Sequence, residues 1–99
     1  MKKQENRFDI SGRVIELGNP ERISDKFSKR TVILEVFDAR GNVNEVPYEF
    51  VNANMDQLKD VRPGDWVTIN HQVRARKTEK EGQPIRRFIT LDGISCYIE

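Results

Sequence analysis

Two basic stretches separated by a short polar loop are the residues of this sequence best suited to chemistry. They are Gln72-Val73-Arg74-Ala75-Arg76-Lys77 and Arg86-Arg87-Phe88-Ile89-Thr90. Polar and apolar residues alternate in the first stretch, which predicts a strand with cations on its outer face. Cations two residues apart on a strand lie about 7 Å from each other, close to the phosphate spacing of an extended single strand. We therefore predict a hairpin that binds the phosphate backbone of a nucleic acid.

The candidate binding residues extend beyond these two strands. Lys80 lies in the loop between them, and Lys29 and Arg30 end an earlier polar loop that also contains Phe27. Phe88 is an aromatic on a charged strand face, where it is either a base-stacking platform or a packing partner. The predicted nucleic-acid-binding residues are Arg74, Arg76, Lys77, Lys80, Arg86, Arg87, Phe88, Lys29 and Arg30.

The overall charge is nearly balanced, with 17 Lys and Arg against 16 Asp and Glu and a formal net charge of +1. Attraction to nucleic acid must therefore come from local segregation of charge, as in the predicted hairpin. The alternative interpretation of the hairpin is an ordinary solvated surface that Glu79 and Glu81 partly neutralise.

Several classes of protein are disfavoured by what the sequence lacks. The single cysteine, Cys96, cannot form an internal disulfide and is typical of a reducing cytoplasm. The N-terminus leads into no apolar run, and no apolar stretch is long enough to span a membrane. There is no metal-ligand cluster, phosphate loop or nucleophile with a base, and the lone His71 falls on an inward strand face. We predict a cytoplasmic protein that is not an enzyme and has no catalytic residues, metal or cofactor.

Period-two alternation, broken by glycine and polar clusters, predicts a single all-β domain over residues 1–99. Residues 1–6 are predicted to form a flexible N-terminal extension. The inward phase changes at Ile15 in the first strand and at Gly93 in the last, which predicts bent or bulged strands. The five predicted strands cover residues 8–17, 31–37, 43–51, 66–76 and 85–98, with turns at 38–42 and 62–65.

One helix is predicted over residues 52–58, with Asn52 or Asn54 as its cap and Met55 and Leu58 on one face. Five strands, this helix and a bent first strand predict a five-stranded Greek-key OB-fold barrel with one short helix between strands 3 and 4. An SH3-like barrel is the alternative, but it does not require the helix.

The aromatic residues leave alternatives open. Tyr48 and Phe50 alternate in phase with Val46, so they either fill the core or form a stacking platform. Trp66 is predicted to point outward, where it either stacks on a base, packs in a subunit interface or closes the end of the barrel. In the last strand, Ile89 and Leu91 are predicted to face the core.

The second half of the chain resembles bacterial single-stranded DNA-binding proteins and their primosomal relatives, including uncharacterised single-domain members. The resemblance is closest over residues 61–90 and rests on Pro63-Gly64-Asp65-Trp66-Val67-Thr68-Ile69, the basic stretch 72–77, Gly82-Gln83 and Arg87-Phe88. Two features depart from the family pattern. Thr78 occupies the position of a usual stacking tryptophan, and the sequence ends at Glu99 without the acidic tail that recruits partners in the family.

These observations and the resemblance lead to one main hypothesis. The protein is expected to bind single-stranded DNA, with RNA as the alternative, with little sequence preference and as a dimer or tetramer without membrane association. The second hypothesis is an OB-fold interaction or oligomerisation module with weak or no nucleic-acid binding. A carbohydrate-binding protein is a third possibility for the fold, but the sequence lacks a cluster of exposed aromatics and carboxylates.

Overall fold

The structure is a computed structural model that describes residues 3–99. Over these residues the chain forms six strands and one 3₁₀ helix. In chain order they are β1 (Phe8–Leu17), β2 (Glu21–Ser24), β3 (Phe27–Phe37), β4 (Val43–Val51), the 3₁₀ helix (Asn52–Leu58), β5 (Trp66–Thr78) and β6 (Arg86–Ile98).

Five of these strands close into a barrel. The order around the barrel is β1-β5-β6-β4-β3, and β1 pairs again with β3 to complete the circle. Neighbouring strands are antiparallel except β4 and β6, which meet in parallel at the pair Glu49↔Asp92. The predicted all-β fold, an OB-fold barrel with one short helix, is confirmed.

The position of the helix in the strand order differs from the prediction. An additional short strand, β2, pairs with β3, so the helix lies between the fourth and fifth strands rather than between the third and fourth. All residues of β2 are exposed, so they carry no alternation of polar and apolar residues. That is why residues 21–24 were predicted as part of a loop.

The helix also differs from its prediction in its first residues. It is a 3₁₀ helix without a side-chain cap, and Asn52 has a positive φ of 51°. The Asn52 side chain instead accepts a hydrogen bond from the Ser28 backbone N–H at 2.9 Å, and Asn54 donates to the Gly93 carbonyl. Leu58 is buried and Met55 packs against the core, so the predicted apolar face is correct.

Both predicted bends are present. The pairing of β1 shifts between Val14 and Glu16, so the first half of the strand pairs with β5 and the second half with β3. A Cβ at Gly12 would lie 2.6 Å from the Glu35 carbonyl oxygen, so the close approach of these strands requires glycine. In β6 the register shifts beside Gly93, which packs against the Phe50 ring.

The barrel interior settles the two open aromatic positions of β4. Tyr48 and Phe50 are buried in the core, where neither can stack on a base. His71 is buried as predicted, with its ring centroid 5.0 Å from that of Tyr48, but its Nδ1 atom has no hydrogen-bond partner. Cys96 is buried too, and burial, assisted by the negative charge of Asp65, raises the pKa of its thiol to about 11. The thiol is therefore protonated at neutral pH.

The β5–β6 hairpin extends beyond the barrel. The two strands pair as far as Thr78↔Arg86, whereas β1 follows β5 only to His71. We call residues 73–91 the arm. Leu91 packs against the core as predicted, but no other strand covers the inward side of the arm beyond it, so Ile89 is 72 % exposed and the prediction that it faces the core is wrong.

The N-terminal segment is held against the base of the arm. The Asn6 side chain donates to the Val73 carbonyl at 2.7 Å and accepts from the Val73 N–H at 2.9 Å, as a paired strand residue would. The predicted flexible extension thus ends in a residue fixed by two hydrogen bonds. Met1 and Lys2 lie outside the described residues.

Candidate nucleic-acid interface

The two faces of the arm carry different chemistry. Side chains of directly opposed residues lie on the same face of a sheet. The register therefore places Arg74, Arg76 and Arg86 on the outer face, together with Phe88 and Thr90. The opposite face carries Val73, Ala75 and Ile89, with Lys77 opposite Arg87 near the tip. The predicted binding residues are thus divided between two surfaces.

The outer face of the arm borders a groove that crosses the barrel. On one side lie Arg74, Arg76 and Phe88, and on the other lie Phe27 and Lys29 at the start of β3. The groove has a volume of about 360 Å³ and crosses the neighbouring strands β5, β6, β4 and β3. The remaining lining residues are Glu49, Val51, Ala75, Thr90 and Asp92.

A second depression continues the groove toward the tip of the arm. Arg76 and Phe88 line both depressions, so the two form one continuous track. Arg86 and Lys80 add two further cations on this side. The other residues of the second depression are Thr78, Gln83 and Pro84. The track therefore combines five cations with two aromatic side chains.

Arg76 and Phe88 form the ridge between the two depressions. The Arg76 guanidinium carbon lies 5.4 Å from the centroid of the Phe88 ring, within the range of a cation–π contact. Phe88 is nevertheless 44 % exposed, so part of its ring remains open to a ligand. A flat guanidinium and an exposed ring side by side are surfaces on which nucleobases stack.

Two carboxylates lie among the cations of the groove. Lys29 Nζ lies 3.5 Å from Glu49 Oε1, and Arg74 Nη1 lies 3.8 Å from Asp92 Oδ2. The Gln72 side-chain amide also donates to Asp92 Oδ2, at 2.7 Å. Lys29 and Arg74 therefore each have an acidic neighbour in the groove.

Three of the predicted cations do not lie along the track. Arg30 opposes Phe50, and its Nε donates to the Gly18 carbonyl at 2.8 Å, so it stabilises the loop after β1. Lys77 and Arg87 lie on the other face of the arm, where Lys77 is 3.0 Å from Glu79. The structure thus brings Lys29, Arg74, Arg76, Arg86, Lys80 and Phe88 together and separates Arg30, Lys77 and Arg87 from them.

Sequence analysis missed the acidic members of the site. Glu49 and Asp92 are far apart in the sequence and meet only through the single parallel pair of β4 and β6. No local pattern could reveal this contact. Phe27 lies two residues before Lys29 in the sequence. This combination of an aromatic and a cation is the local signal that indicates a place for Phe27 in the groove.

The described residues contain no helix long and apolar enough to cross a bilayer. Over the same part of the chain, no three His, Cys, Asp or Glu side chains come together as metal ligands would.

Fold and groove together define a small OB-fold barrel with a basic, aromatic track on one face. The family model described as a domain of unknown function, DUF3127, matches residues 9–95. The chain therefore belongs to this family. No protein of curated function matches the sequence significantly.

Three solved structures similar to this chain share its architecture over nearly their whole length. Mitochondrial single-stranded DNA-binding protein Rim1 from S. cerevisiae has a TM-score of 0.69 at 15% identity, with 97% of this chain and 96% of Rim1 covered. The dimeric N-terminal domain of PriB from Thermoanaerobacter tencongensis has a TM-score of 0.66 at 16% identity, with 95% and 96% covered. The Plasmodium falciparum SSB in complex with ssDNA has a TM-score of 0.57 at 15% identity, with 100% and 98% covered. At these identities the likeness establishes the fold, and the resemblance inferred from the sequence is confirmed at that level.

Proposed function

We propose that this protein binds single-stranded nucleic acid, DNA in particular, with little sequence preference and without enzymatic activity. The observation that carries the proposal is the track along the outer face of the arm, where Arg76 and the exposed Phe88 adjoin Arg74 and, across the groove, Lys29. Cations bind the phosphates irrespective of sequence, and the aromatic ring stacks on bases of any kind. The single-stranded DNA-binding proteins of the same fold support this proposal.

A titration with a fluorescently labelled poly-dT oligonucleotide at several salt concentrations tests this function. If about four of the five cations along the track each bind a phosphate, log affinity should fall with log salt at a slope of roughly −3, since each contact to a single strand contributes about 0.7. Fluorescence anisotropy measures both the affinity and the slope. Binding that does not depend on salt would reject the phosphate contacts, and absence of binding would reject the function.

Self-association is the second part of the proposal, and a separate surface favours it. Trp66 is 46 % exposed on the outer face of β5, and the exposed Tyr97 opposes Thr68, which makes the two aromatics diagonal neighbours. Exposed aromatics are enriched at protein interfaces. If the protein is instead an interaction module that does not bind nucleic acid, its partner would bind at this same surface.

We expect a dimer or tetramer of closed symmetry at micromolar concentration, because neighbouring aromatics gain most when a second copy buries them. Sedimentation velocity measures the mass. Trp66→Glu should shift the protein toward the monomer, whereas Ile23→Glu, which replaces an exposed apolar residue of β2 beside the start of β3, should leave the mass unchanged. A monomeric parent would contradict the prediction and would make Trp66 a candidate for base stacking.

A further inference from the structure

The groove contains anionic groups where an anionic ligand is proposed to bind. Glu49 and Asp92 oppose each other across the only parallel pair between β4 and β6 in the described chain. Like charges in direct opposition destabilise a sheet unless counter-charges are near. Lys29 and Arg74 provide these counter-charges, one for each carboxylate.

Both carboxylates and Lys29 are partly shielded from solvent, whereas the side chain of Arg74 is 59 % exposed. The side chains of Lys29 and Glu49 are each 28 % exposed, and that of Asp92 is 10 % exposed. Gln72 fixes Asp92 by a hydrogen bond of 2.7 Å to the oxygen that faces Arg74. The two carboxylates therefore have defined positions in the groove and are not mobile surface charges.

We propose that Glu49 and Asp92 are built-in competitors of the phosphate groups, so that nucleic acid must draw the side chains of Lys29 and Arg74 away from these fixed carboxylates in order to bind. This inference rests on the proposed function. Carboxylate and phosphate oxygens accept hydrogen bonds from the same ammonium and guanidinium groups. Once a phosphate has taken the cation, the carboxylate that has lost its partner remains nearby and repels the phosphate.

The competition sets the strength of binding. With both carboxylates in place the groove holds its cations ready but binds an incoming strand only moderately, so the strand can be released. When a carboxylate is replaced by its neutral amide, the cation loses its internal partner and the repulsion disappears. The hydrogen bond from Gln72 can persist, because the side-chain oxygen of asparagine also accepts.

The test compares Glu49→Gln and Asp92→Asn with the parent in the poly-dT titration at fixed salt. We expect each variant to bind about fivefold more tightly, the effect of removing one unit charge near a bound phosphate. Glu45→Gln is the matched control. Glu45 lies on the same face of β4 and is exposed opposite Glu35, outside the groove. The Glu45→Gln variant has the same change of net charge as the groove variants, and its affinity for poly-dT should differ from that of the parent by less than about twofold.

The results distinguish failure of the carboxylate competition from failure of the proposed nucleic-acid binding. If the parent binds and both groove variants match Glu45→Gln or bind more weakly, the competition is overturned and the proposed function stands. If the parent does not bind but the groove variants do, the competition stands and the function of the parent fails. If none binds, both are overturned. Circular dichroism verifies folding, and Glu49→Gln alone suffices should Asp92→Asn destabilise the barrel.

Discussion

Replacing Arg74 and Arg76 together with alanine should weaken binding of poly-dT roughly 10- to 100-fold, since each charge-assisted contact to a phosphate contributes on the order of 1 kcal/mol. The slope of log affinity against log salt should become shallower by about 1.4, because each lost phosphate contact removes about 0.7. The loss should be nearly equal for oligonucleotides of different sequence. Stability should fall by no more than about 1 kcal/mol, because both arginine side chains are exposed and Asp92, which loses its Arg74 partner, keeps the hydrogen bond from Gln72.

The arm provides its own control for this variant. Replacing Lys77 and Arg87 with alanine removes the same charge from the same hairpin, but from the face that points away from the groove. Anisotropy titrations should show less than about a threefold loss for this second variant. Equal losses for the two variants would mean that binding responds to the general field of the arm rather than to contacts along the track.

The division of the cations between the two faces shows what the alternation of polar and apolar residues can predict. It predicts the face of a strand on which a side chain lies, but not whether another strand covers that face. Alternation correctly placed Arg74 and Arg76 on the outer face and His71 in the core. It did not indicate where the covering strands end. Ile89 occupies an inward phase, but the barrel does not reach it, so it is exposed. Burial depends on what packs against a residue, and that information lies in distant strands.

Both bends could be predicted because glycine and a change of phase are local signals, whereas β3 begins at Phe27, four residues before its predicted start. The register of β1 shifts beside Ile15 and that of β6 beside Gly93, at the two predicted changes of phase. The short strand β2 could not be predicted, since none of its residues is buried and its pairing with β3 depends on the backbone alone. The groove, too, could be predicted only where its residues are neighbours in the sequence. Its cations appear as a local cluster in the sequence, whereas the contact between Glu49 and Asp92 arises only from the closure of the barrel.

Gly93 is the position at which the smallest substitution should have the largest effect on stability. A Cβ there would overlap the ring of Phe50, which is completely buried in the core. Gly93 does not have a positive φ, so the backbone itself accepts alanine and the effect is purely steric. We expect Gly93→Ala to lower the free energy of unfolding by about 3 kcal/mol, the upper part of the range for overpacked cores. Urea denaturation measures this change.

The steric cause can be separated from a general intolerance of the bulge by a double-mutant cycle. Phe50→Leu removes the ring atoms that a Cβ at residue 93 would meet, and by itself it should cost about 1 to 2 kcal/mol for the lost burial. If the overlap is the cause, the double variant should be more stable than the sum of the two single changes predicts, by at least about 1 kcal/mol. Additive changes would instead show that alanine disturbs the register shift itself. Because Asp92 directly precedes Gly93 in the bulge, that outcome would also predict weaker binding in the groove for Gly93→Ala at temperatures where the variant is folded.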